Sequence, residues 1–250
     1  MSTWIFLRGL TRESRHWGHF IEQFQHALPG CQVIALDLPG NGQLNQERSP
    51  VRVQDMVVHC RAELAARNIK PPYHVLAMSL GAMVAVAWAH AYPQEVAANV
   101  LINTSMRPFS PFYQRLRPGN YGALLKLVLL AAGPEVWERK VLQMTSNRAD
   151  ESVLPLWLAL RQTNPVARAS ALRQLVAAAR FRAPAVKPPA PTLVLASEQD
   201  HLVSVECSRA LARHWQCALR IHTSAGHDVP LDDGPWVASQ VRDWLMDRAN

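Results

Sequence analysis

Cysteine is scarce in this chain, and the spacings that usually mark metal or disulfide chemistry are missing. The 250 residues hold four cysteines, Cys31, Cys60, Cys207 and Cys217, and none forms a C-x-x-C pair. That pattern argues against a disulfide framework and reads as reduced thiols in a reducing compartment. Cys60 follows His59, but neighbours in a helix point their side chains apart, so this is no Cys–His nucleophile. The histidines share no ligand spacing with Asp, Glu or Cys, and no metal is expected. No cofactor-binding motif, internal repeat or low-complexity block is present. The net charge is +7, yet no interleaved aromatics or recognised motif suggest nucleic acid.

A leader and a membrane span are also not expected. Met1-Ser-Thr runs straight into an apolar strand, without a basic stretch or cleavage site. Residues 75–92 carry no Asp, Glu, Lys or Arg and are about as long as a membrane span. The Ser-Leu-Gly turn within them divides the run into a buried strand and a buried helix. A cytoplasmic protein follows as the expectation.

What is present is an alternation of strand and helix. Strands are predicted at 3–7, 32–36, 73–77, 98–103, 192–196 and 218–222. Helices are predicted at 16–27, 53–67, 80–91, 204–214 and 235–248. The alternation implies a parallel sheet covered on both faces. It stops near Ser105 and resumes at Pro191. Between them, helices are predicted at 121–132, 134–146, 152–162 and 165–180, followed by an extended Pro-rich exit over 184–191. The division is therefore a core of 1–104 and 191–250 with a helical cap at 105–190. Residues 105–187 carry a formal charge of +9, leaving −2 for the remainder. A cap so basic is either a solvated surface or a docking face for an acidic partner or anionic substrate, such as an acyl carrier protein or coenzyme A thioester.

The most informative stretch is Tyr73-His-Val-Leu-Ala-Met-Ser-Leu-Gly-Ala-Met83. A short apolar strand runs into Ser79, an apolar helix follows at once, and Ala77 and Gly81 flank the serine two positions away. This is the pattern of a nucleophile elbow, whose small neighbours let strand and helix backbones pass closely. The turn places the Ser79 hydroxyl at a helix N-terminus, where unpaired N–H groups, the Leu80 N–H among them, favour a developing oxyanion. Alone the pattern is weak. Two partners downstream strengthen it: Asp200, just past the 192–196 strand, and His227, in the loop after the last strand behind Gly226, a glycine that permits a tight turn. Glu198 is an alternative acid, and His201 a poorer alternative base.

The order Ser79, Asp200, His227 matches the α/β-hydrolases. The chain resembles that superfamily over nearly its whole length. Phe6-Leu-Arg-Gly-Leu-Thr11 is similar to its oxyanion loop, with Arg8 where histidine is usual, and Leu36-Asp-Leu-Pro-Gly-Asn-Gly42 is similar to its D-x-P-G-x-G turn. The resemblance implies an α/β-hydrolase fold of about six mostly parallel strands, the family's leading antiparallel hairpin being absent, with a lid over the nucleophile. It implies Ser79 as nucleophile, His227 as base, Asp200 as its orienting acid, and backbone N–H groups of Leu80 and Leu10 as the oxyanion hole. The implied activity is hydrolysis of a small or medium acyl ester through an acyl-enzyme, without cofactor. Alternatives are a thioesterase or carrier-linked acyl hydrolase, a non-hydrolytic lyase of the same fold, and a binding module. The lyase is disfavoured because Leu80-Gly81-Ala82-Met83 lacks the arginine its elbow carries. Trp137, Trp157, Phe109, Phe112 and Tyr113 are candidates for an acyl pocket.

Overall fold

Six short apolar runs become six parallel strands in the computed structural model, which describes residues 2–124, 133–148 and 151–249. They are β1 (Ser2–Leu7), β2 (Cys31–Leu36), β3 (Tyr73–Met78), β4 (Val96–Ile102), β5 (Thr192–Ser197) and β6 (Ala218–His222). The sheet order is β2-β1-β3-β4-β5-β6, and every pairing is parallel. The central strands are buried on both faces, which is why β3, β4 and β5 are predominantly apolar, with His74 and Asn99 as the polar interruptions of β3 and β4.

Two apolar layers hold helices to the sheet. On one face, α2 (Val53–Ala66), α3 (Leu80–Ala91) and α7 (Val205–Trp215) pack over Ile5, Val75, Ala77 and Val194. On the other, α1 (Phe20–Ala27) and α8 (Val229–Ala249) enclose Trp4, Phe6, Phe24 and Leu76. Every residue from Leu80 to Ala89 is buried, so α3 is apolar all round because it is a core helix. No helix among the described residues is long and apolar enough to cross a membrane.

Two predicted helices are divided. The segment expected as one helix over 16–27 is a 3-10 turn at Ser14–Trp17 followed by α1. Gly18 separates them at φ 50, a conformation that breaks helical hydrogen bonding and suits glycine. The helix expected from 235 begins earlier, at Val229, and is interrupted at Asp233. There the Asp233 carboxylate accepts the Trp236 N–H at 3.1 Å, capping the second section.

The chain between β4 and β5 holds a short turn at Phe112–Arg115, then α4 (Pro134–Thr145), α5 (Leu154–Thr163) and α6 (Arg168–Arg180). Pro134 occupies the first helical turn, as its fixed φ favours. Pro165, expected in the first turn of its helix, instead precedes α6. The helix predicted over 121–132 lies mostly outside the described residues. Leu142, Leu154 and Trp157 form a small core of this insert.

Candidate active site at the carboxyl edge of the sheet

The sheet order reverses at β1, because the chain leaves β1 toward β2 and later returns to lay β3 on its other side. Open parallel sheets form a crevice at such a point, outside the carboxyl ends of the strands. The loop Arg8-Gly9-Leu10-Thr11 follows β1 there, and Ser79 follows β3.

Ser79 adopts φ 53, ψ −115. A non-glycine residue in that region carries strain of about 1–3 kcal/mol, which the surroundings must hold. They do so by accepting the Ser79 N–H on the Ile102 carbonyl at 3.0 Å and donating the Thr104 hydroxyl to the Ser79 carbonyl at 3.2 Å. The need for small neighbours is specific. A Cβ on Gly81 would lie 2.5 Å from the Leu7 carbonyl oxygen and 2.6 Å from that of Arg8.

Asp200 and His227 meet. His227 Nδ1 lies 2.7 Å from Asp200 Oδ2, with both side chains buried. A carboxylate only accepts, so Nδ1 carries the proton and Nε2 is left as an acceptor. Asp200 Oδ1 is fixed by the N–H groups of Leu202 and Val203 at 2.8 and 2.9 Å. The alternatives do not fit. Glu198 is exposed and bonded to Arg209, and His201 is exposed.

Gly226 serves another purpose than expected. Its φ is not positive; instead, the Thr145 carbonyl oxygen of α4 sits 2.7 Å from where a Cβ would be. The histidine loop is pressed against α4, and the Asp228 N–H donates to that same oxygen at 2.7 Å. Asn103, at the end of β4 with φ 42, donates to the carbonyls of His227 (2.8 Å) and Gly226 (3.2 Å) and accepts the Ser197 N–H (2.9 Å). Sequence reasoning missed it; the polar residue that ends the apolar Val96–Ile102 run was the only signal.

The loop after β1 is anchored from three directions. Arg8 forms a two-point ion pair with Asp228, both nearly inaccessible. Thr11 donates its N–H to Gln174 of α6 at 2.8 Å, and Gln174 donates to Asn41 and Ser49 at 2.8 and 3.0 Å. Asn41 donates to the Arg12 carbonyl at 3.0 Å. The Asp37–Gly42 turn is thereby tied to the loop, and Gly42, at φ 54, leaves room for the Asp37 carboxylate that accepts the N–H groups of Ser14 and Gln43. Leu10 and Leu80 lie on opposite sides of Ser79 in chain order, and both line the adjoining cavity.

That cavity has a volume of about 350 Å³ and is mostly apolar. Ser79 and His227 open onto it, and Trp137, Met144 and Leu175 from the insert cover it. Of the five aromatic candidates, Trp137 and Phe112 line the cavity. Trp157 instead stacks under the Arg12 guanidinium at 4.0 Å, and Phe109 packs on His214 and Trp215. Tyr113 is half exposed. Three arginines of the insert are paired: Arg161 shares the buried Glu138 with Arg12 of the loop after β1, Arg139 meets Glu135 and Glu151, and Arg148 meets Asp233. Burial pushes the Cys60 thiol up to about 12, which leaves it inert. No cluster of three His, Cys, Asp or Glu suited to a metal ion occurs among the described residues.

A parallel six-stranded sheet with Ser79 at its switch point, and residues 4–240 matching the pattern of the Alpha/beta hydrolase family, define the class: the chain belongs to that family. Two curated relatives are the biotin biosynthesis bifunctional proteins BioHC of Teredinibacter turnerae and Cellvibrio japonicus. The first is 24% identical over 279 residues, covering 99% of this chain and 45% of the relative; the second is 26% identical over 256 residues, covering 96% and 47%. The chain thus spans about half the length of these relatives. Among solved structures, a thermophilic esterase from Thermogutta terrifontis is 20% identical with a TM-score of 0.73, over 99% of this chain and 90% of that one. The α/β-hydrolase fold expected of the sequence is the fold observed.

Proposed function

We propose that this protein is a serine hydrolase that cleaves a carboxylic ester of a small or medium acyl substrate. The observation that supports this reading is that Ser79, on its strained turn, and His227, oriented by Asp200, line the same apolar cavity. Nε2 of His227 takes the Ser79 hydroxyl proton as Oγ attacks the ester carbonyl. Asp200 holds the imidazole tautomer and stabilises the imidazolium. The oxyanion is met by the N–H groups of Leu80 and Leu10, each worth roughly 3–4 kcal/mol of barrier. The imidazolium returns the proton to the leaving alcohol, and water then releases the acid from the acyl-enzyme. Residues 105–190 act as the cap over this site. The family membership supports the reading, and the three buried thiols suit a cytoplasmic setting.

The test is labelling with a fluorophosphonate, read by mass spectrometry, followed by a panel of oxygen and thio esters. Label on Ser79, lost in Ser79→Ala, is the expected result. Label elsewhere ends the assignment.

A second reading is a thioesterase or carrier-linked acyl hydrolase. It is favoured by Arg107, Arg180 and Arg182 of the cap, which are exposed and meet no carboxylate among the described residues. A preference for an acyl carrier protein that disappears at high salt would support it.

A further inference from the structure

We infer that Arg115 is an anion-selecting residue at the mouth of the cavity, binding a carboxylate or phosphate that the ester carries besides its scissile group. This rests on the acyl-ester reading above and adds the chemistry of the substrate's far end. Arg115 lines the same cavity as Ser79 and His227, beside Phe112 and Tyr121, which reach from the cavity to solvent.

Its guanidinium has an unusual set of partners. Nη2 donates to the Ala178 carbonyl at 2.6 Å and Nη1 to the Ala179 carbonyl at 3.4 Å, both in the last turn of α6. Nε is buried without a partner. No carboxylate pairs with Arg115 among the described residues, whereas Arg8, Arg12 and Arg161 each meet one. Asp228 is the only carboxylate residue lining the cavity among those described, and Arg8 already occupies it.

The consequence is a fixed positive charge at the edge of an apolar chamber. Burial lowers the Arg115 pKa, and the charge of Arg107 lowers it further. A partly desolvated cation without a carboxylate partner is unfavourable, and an arriving anion offsets that cost while the carbonyls of α6 hold the guanidinium in place. The apolar walls take the chain that joins the anion to the ester.

Two matched substrate pairs test this. Mono-4-nitrophenyl adipate against 4-nitrophenyl hexanoate places the anion on the acyl side. Butyryl glycerol phosphate against butyryl glycerol places it on the leaving group. The expected result is about a tenfold or greater preference in kcat/KM for the charged member of one pair, carried by KM. Arg115→Gln removes the preference and Arg115→Lys keeps part of it. No preference in either pair, or a preference that survives in Arg115→Gln, overturns the proposal. Should Arg115→Gln fail to fold, competition in the wild type decides: adipate inhibits more strongly than hexan-1-ol at low salt, and equal inhibition overturns it. Failure of the fluorophosphonate to label Ser79 removes the hydrolase reading separately. Calorimetric titration of adipate into wild type and Arg115→Gln then judges the anion site alone: binding weakened by the substitution supports it, and no binding to wild type overturns it.

Discussion

Arg8 and Asp228 lie 220 positions apart in the chain and form a buried two-point ion pair that joins the loop after β1 to the residue beside His227. The Arg8 guanidinium also lies over the Trp17 ring, 4.7 Å from its centre. Removing one member leaves the other charged and unpaired in the interior. Asp228→Asn is therefore expected to cost about 3–5 kcal/mol, on the order of 10 °C in Tm. The double variant Arg8→Met/Asp228→Leu should recover most of that loss, because neither charge remains to be desolvated. Thermal denaturation of the three variants checks this, and a double variant no more stable than the single one would contradict it.

Ser79→Ala should abolish ester hydrolysis with the fold retained. Asp200→Asn should lower kcat by orders of magnitude through a misaligned imidazole. Glu198→Gln should leave kcat within about twofold, since Glu198 is exposed and pairs only at the surface. If Glu198→Gln is the damaging change, the orienting acid has been misassigned.

Gly81→Ala puts a methyl group against two main-chain oxygens that cannot move without shifting β1. The expected loss is roughly 1–3 kcal/mol in urea unfolding, with reduced activity because Ser79 shares the turn. Gly119→Ala, with nothing within 4 Å of its added methyl, is the matched control and should be near neutral.

His16 gives a pH dependence of stability. Burial first, then the charges of Arg12 and Arg8, hold its pKa well below the usual histidine value. Nδ1 accepts the Glu13 N–H and Nε2 lies 3.0 Å from the Arg12 guanidinium, so a second ring proton, on Nδ1, would break the Glu13 bond and set two donors against each other. The unfolded chain binds that proton near pH 6.5 and the folded chain resists it. The His16 contribution is thus intact above about pH 6.5 and is lost as pH falls below it, at up to about 1.4 kcal/mol per pH unit. Unfolding free energies at pH 8 and pH 5.5, compared between wild type and His16→Gln, should show a shallower loss in the variant. Equal slopes would remove His16 as the source.

The amino-acid sequence by itself determined the six strands, their parallel character and the turn at Ser79. Each depends on apolar runs and small residues within a few positions of one another, and such local rules survive whatever the rest of the chain does. Three helices of the insert were also legible, but which of their aromatics face the cavity was not: Trp137 and Trp157 sit on separate helices, and only packing turns one toward Ser79 and the other beneath Arg12. The charge of the insert was legible as a sum but not as pairs, because a count of arginines does not reveal that Glu138 serves both Arg161 and Arg12 of the core while Arg115 meets no carboxylate among the described residues. Tertiary structure decided these matters, together with the Arg8–Asp228 pair and the hold of Gln174 on Thr11, since ion pairs and buried hydrogen bonds form between groups far apart in sequence and leave no periodic trace along it.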